Sequence, residues 1–87
     1  MKLKDGLITE EIGGEFITVA TGETSRTFNG LIRSNETAEF LLALLMENTT
    51  EDELVSALLE NYDVSENQAR QDVHDLIEKL MGAGLLE

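Results

Sequence analysis

The chain has 87 residues and no cysteine, with 18 acidic against 6 basic side chains for a formal charge of −12. That length suits one domain over residues 1–87, the lack of cysteine excludes a disulfide framework and any thiolate ligand or nucleophile, and the acidity opposes the phosphate contacts from which nucleic-acid binders draw much of their affinity. The longest apolar run, Phe40 to Met46, is far below the ~20 residues of a membrane span, and Met1-Lys2-Leu3-Lys4-Asp5-Gly6 has no apolar core after its lysines to make a signal peptide, so the cytoplasm is the natural compartment.

In chain order, β-type runs over about 7–12 and 15–20 flank Gly13-Gly14. Two glycines between such runs signal a tight hairpin, because the favoured turn needs positive φ at both positions. Thr21-Gly22-Glu23-Thr24-Ser25 reads as a second turn, and about 26–33 as a third strand. Short connections make the neighbours antiparallel, in a meander of order 1-2-3.

Phe28 to Phe40 then carries the chain from sheet to helix almost without a loop. Ser34 or Asn35 can cap the first helix, expected over about 36–47, and Glu36 and Glu39 sit where the helix dipole favours negative charge. Ala38, Phe40, Leu41, Leu42, Leu44, Leu45 and Met46 make that helix apolar nearly all round, as a central helix requires. A second helix over about 51–61 opens at Thr50, with Glu53 at capping-box spacing, and buries Leu54, Val55, Leu58, Leu59 and Tyr62. A third, over about 66–81, opens at Ser65 with Gln68 and buries Ala69, Val73, Leu76, Ile77 and Leu80. Gly82 or Gly84 ends it, and Leu85 and Leu86 tuck the last residues onto the core. The fold class is α+β, a three-stranded antiparallel meander followed by three helices.

Groups placed for catalysis are missing from this pattern. His74, the only histidine, has Arg70 and Glu78 at helical spacing and reads as a surface or groove residue. Asp63, Asp72 and Asp75 fit no calcium loop, and the glycines form neither a phosphate loop nor a dinucleotide fingerprint. No cofactor is expected, and the protein reads as a non-enzyme.

A three-stranded meander has two open edges. The first strand guards its edge with Glu10 and Glu11. The third carries only neutral residues between Arg26 and Arg33, namely Thr27, Phe28, Asn29, Gly30, Leu31 and Ile32. Such an edge can accept an incoming strand, main-chain bonds giving affinity and side-chain pockets selectivity, and Gly30 leaves room for another backbone. It could equally be covered by the chain's own third helix or by a dimer mate.

Gly30-Leu31-Ile32-Arg33-Ser34-Asn35-Glu36-Thr37-Ala38, Tyr62-Asp63-Val64, Asp72-Val73, Leu80 and Gly84-Leu85-Leu86 together resemble the PqqD-like family, the peptide-recognition domains (RiPP recognition elements) of ribosomal peptide natural-product biosynthesis. The resemblance spans about residues 5 to 87. It implies a winged-helix-like fold without DNA binding, and a non-catalytic role: binding the leader region of a precursor peptide and presenting it to a modifying enzyme, often a radical S-adenosylmethionine (radical SAM) maturase. By that resemblance the leader lies as an added strand along the third strand, beside the third helix. The strand side is then Thr27, Phe28, Asn29, Gly30, Leu31, Ile32 and Arg33, and the helix side Arg70, Val73, His74 and Ile77, at i, i+3, i+4 and i+7. Val73 and Ile77 read equally well as core. Arg33 and Arg70 would pair with leader acids. The chain departs from the family at Ser34, where leucine usually precedes the junction asparagine.

Two other readings are weaker. A winged-helix DNA-binding or transcription-associated domain would need a recognition helix, yet the third helix sets Glu66, Asp72, Asp75 and Glu78 against Arg70 and Lys79. An acyl-carrier protein would be helical throughout and would carry its serine in an Asp-Ser-Leu setting, which Ser34, Ser56 and Ser65 lack. Expected partners are therefore a leader peptide and its modifying enzyme, with no nucleic acid and no membrane, and a homodimer possible along the open edge.

Overall fold

The structure, a computed structural model, describes residues 1–28 and 30–87. Three strands, β1 (Leu7–Ile12), β2 (Glu15–Ala20) and β3 (Leu31–Ser34), precede three helices, α1 (Glu36–Leu44), α2 (Glu51–Asn61) and α3 (Glu66–Gly82). The sheet is antiparallel in the order β1-β2-β3. Gly13 and Gly14 turn the first hairpin at φ 61° and 85°, the left-handed values that a two-residue turn demands.

Register divides the sheet into two faces. Thr9, Thr18 and Ile32 align across the strands on the face that meets the helices, where Thr18 and Ile32 are buried. Ile8, Val19 and Leu31 align on the other face and are exposed. Below the inner face, Leu41, Leu42 and Leu45 join Leu54, Val55 and Leu58 of α2 and Ala69, Val73, Leu76, Ile77 and Leu80 of α3 in one core. Phe40 and Tyr62 meet edge to face at 5.3 Å, fastening α1 to the end of α2.

Each helix starts as its sequence dictates. Asn35, Thr50 and Ser65 accept hydrogen bonds from the backbone N–H of Ala38, Glu53 and Gln68 at 2.9, 3.1 and 3.1 Å, so Asn35 rather than Ser34 caps α1. Gly84, at φ 71°, supplies the left-handed residue after α3. Leu85 is fully buried, and Leu86 pairs with Leu3 in an isolated antiparallel bridge.

Two elements are shorter than the sequence pattern suggests. The third strand, expected over 26–33, is confined to Leu31–Ser34, and Gly22–Arg26 winds into a 3₁₀ turn instead. Local bonds account for this: the Thr24 hydroxyl donates to the Asp5 carbonyl, while the N–H groups of Thr27 and Phe28 both donate to the Thr24 carbonyl. Helix α1 stops at Leu44 instead of about 47, because Met46 and Glu47 donate to the carbonyls of Ala43 and Leu44, three residues back, and Leu3 donates its N–H to the Leu45 carbonyl.

Candidate functional site

The outer side of β3 is a sheet edge with no acidic side chain. Among the described residues, the backbone hydrogen bonds of Leu31–Arg33 are those of the ladder with β2, which leaves the other side of the strand with open N–H and C=O groups. Along it Ile32 points into the core, while Leu31 and Arg33 face outward and are exposed. Arg33 has no ion-pair partner among the described residues.

Where β3 ends, a hollow of about 220 Å³ opens between the start of α1 and the middle of α3. Asn35, Thr37, Ala38 and Leu41 line one wall, and Asp72, Asp75, Leu76 and Lys79 the other. The amides of Gln68 and Gln71 donate to Asp72 and Asp75 at 2.8 and 2.7 Å, holding both carboxylates along α3. The hollow thus joins an apolar floor to a rim with two acids and one lysine. Strand edge and hollow together offer backbone partners for an extended peptide and a recess for its side chains.

The expected site residues are only partly brought together here. Leu31, Ile32 and Arg33 form the strand edge, and Gly30 leads directly into it. Thr27 and Phe28 belong to the preceding turn, with Phe28 packed against the core; Asn29 lies outside the described residues. On α3, Val73 is fully buried and Ile77 is 7% exposed, so both serve the core. Arg70 turns toward α2, bonding Glu66 at 3.0 Å and Asp52 at 3.2 Å. The hydrogen bonds to Glu66 and Asp52 raise the pKa of its guanidinium. His74 lies 3.2 Å from Glu78 on the exposed flank. The side of α3 that lines the hollow is instead Asp72, Leu76 and Lys79, spaced i, i+4 and i+7 on the opposite flank of the apolar stripe. Helical phase alone could have found that set, but not preferred it.

Among the described residues no group of three or more His, Cys, Asp or Glu side chains is arranged to hold a metal ion, and no helix is long and apolar enough to cross a membrane.

Two solved structures share the whole architecture. One, described as "TbiB1 in Complex with the TbiA(beta) Leader Peptide", superposes with a TM-score of 0.75 at 23% identity, covering 100% of this chain and 95% of that one. The other, "Lasso peptide synthetase B1 complexed with the leader peptide", has a TM-score of 0.70 at 17% identity, covering 97% of this chain and 93% of that one. At such identities the likeness establishes the fold. No curated protein matches the chain. The family described as "Coenzyme PQQ synthesis protein D (PqqD)" matches residues 13–86, from the first hairpin to the bridge at Leu86. By that match over most of its length, the chain belongs to the PqqD family.

Proposed function

We propose that this protein is a non-catalytic adaptor that binds the leader region of a ribosomally made precursor peptide. The leader adds as a fourth strand along Leu31–Ser34 and sends side chains into the hollow between α1 and α3. A modifying enzyme, of the radical SAM maturase class, then acts on the presented core in the cytoplasm. The observation that carries this reading is the open edge of β3, unpaired among the described residues and free of acidic side chains, beside that hollow. Membership of the PqqD family supports it, as do the leader-peptide complexes of the two structural neighbours. DNA binding is disfavoured by a charge of −12 and by the acidic exposed flanks of α3.

Side-chain roles follow from placement. Leu31 and Arg33 meet alternate leader residues on the outer face, Arg33 being free to pair with a leader acid. Asp72, Asp75 and Lys79 select polar leader groups at the rim, above the apolar floor of Ala38, Leu41 and Leu76. Arg70 and His74, both half-exposed and paired with Asp52, Glu66 and Glu78, lie outside the lining of the hollow, so any leader contact of theirs is made beyond it.

Calorimetric titration of a precursor peptide encoded beside this chain tests the reading. Saturable binding should fall about tenfold, or ~1.4 kcal/mol, when leader amides are N-methylated at alternate positions, and should be unchanged at the positions between. Ala38→Phe, which fills the hollow, should cost a similar factor, while Glu60→Gln on exposed α2 should cost nothing. Binding that ignores N-methylation at every position would exclude strand addition, and no saturable binding at all would overturn the adaptor role.

A further inference from the structure

On the far side of α1 from the leader hollow, a second recess of about 260 Å³ lies between the sheet's inner face and the helix. Its walls are Leu3, Leu7, Leu42, Ala43 and Met46, with Thr9, Thr18 and Glu39 as the polar lining residues. The hydroxyls of Thr9 and Thr18 stand 2.6 Å apart in one hydrogen bond. Among the described residues, Glu39 Oε2 is sealed from solvent and meets no donor, and no lysine or arginine lines the recess. A buried acceptor without a partner is costly to leave unmet, so a ligand that brings a donor into this recess is favoured there.

Size and lining define the occupant. The volume lies below the roughly 300–1,000 Å³ of small-molecule sites, which suits one inserted side chain. A mostly apolar recess with one carboxylate in its lining matches a long aliphatic stem with a cationic head. The Glu39 carboxyl can turn about its terminal torsion, which is broad and two-fold, so either oxygen can meet a donor arriving through the recess. Of the residues next to the lining, Glu11, two residues beyond Thr9 on the same strand face, and Glu47, beside Met46, are exposed acids, while Lys2 and Lys4 flank Leu3; the acid within the lining itself is Glu39.

We propose that this recess seats a lysine or arginine side chain projecting from the modifying enzyme, which grips the domain on the β1 side while the leader occupies the β3 side. The proposal rests on the adaptor reading and adds to it a second, separate contact surface. The stem lies on Leu3, Leu7, Leu42 and Met46, and the head donates to Glu39 and to the Thr9–Thr18 hydroxyls. Leader and enzyme then engage opposite flanks of α1 without competing for one surface.

The chemistry is testable on the isolated protein with n-butylguanidinium as probe and n-butanol as its neutral counterpart. Followed by NMR, the cation should produce saturable shifts at the methyls of Thr9, Thr18, Leu42 and Met46; n-butanol should not, and Glu39→Gln should abolish the response. With the cognate modifying enzyme, Glu39→Gln and the plugging variant Ala43→Trp should each weaken association at least tenfold and leave leader affinity unchanged. No localised shift with the cation, an equal shift in the Glu39→Gln protein, or unaltered enzyme affinity in both variants would overturn the proposal. Loss of leader binding in the unmodified protein would count against the adaptor role instead, so the two failures are distinguishable.

Discussion

Desolvation raises the pKa of the Glu39 carboxyl, so the native state keeps this proton to a higher pH than the unfolded chain does. The folded form therefore loses stability as pH rises from the ordinary carboxylate range through the raised native value. Replacing the group with leucine removes both this cost and the orphaned acceptor. Glu39→Leu should stabilise the protein at pH 7 by roughly 1 kcal/mol, and the gain should shrink as pH is lowered into the carboxylate range; melting curves across pH measure it. Other residue-level features were harder to read from sequence. The stripe Ala69, Val73, Leu76, Ile77 and Leu80 tells which face of α3 is buried, yet not which neighbour lies along each flank. Asp72 and Lys79 therefore reach the hollow while Arg70 and His74 do not. Leu3 joins the core at 4% exposure, although a lone leucine between two lysines carries no periodic signal.

At the level of elements, what was legible has local causes. Gly13-Gly14 sets the hairpin, and Asn35, Thr50 and Ser65 start the helices, because a turn or cap is decided by a few adjacent residues. Ser65→Ala should cost about 1 kcal/mol, read as a lower midpoint in urea, since the bond from the Gln68 N–H is lost. The third strand was legible only in its second half. Its first half reads as extended by composition, but the Thr24 hydroxyl is caught by the carbonyl of Asp5, nineteen residues away in sequence, and the chain coils there. A partner so distant leaves no mark in a local window. The consequence for the proposed function is a shorter edge: β3 spans only Leu31–Ser34, and alternate residues alone turn their backbone groups outward, so under that proposal side-chain contacts in the hollow would carry more of the selectivity.

For the whole molecule, α1 lies between the sheet and the paired helices α2 and α3. This order follows from hydrophobic patterning, since a helix apolar nearly all round has to be central. It also sets up two recesses, one on either side of α1. Neither was visible beforehand, because each is made by residues that meet only after the layers pack.

The antiparallel bridge between Leu3 and Leu86 has a further consequence. The Glu87 N–H donates to the Lys2 carbonyl at 2.7 Å, so the first and last residues stand shoulder to shoulder. A protein built this way can be cut open and rejoined without redrawing its architecture. Linking residue 87 to residue 1 through about three glycines and opening the chain between Gly13 and Gly14 should give a circular permutant with the parent's circular dichroism spectrum and a melting temperature lower by only about 5–10 °C. The same proximity means that this unit can be spliced into a surface loop of a larger enzyme, entering and leaving at one point, with β3 and its hollow still facing outward.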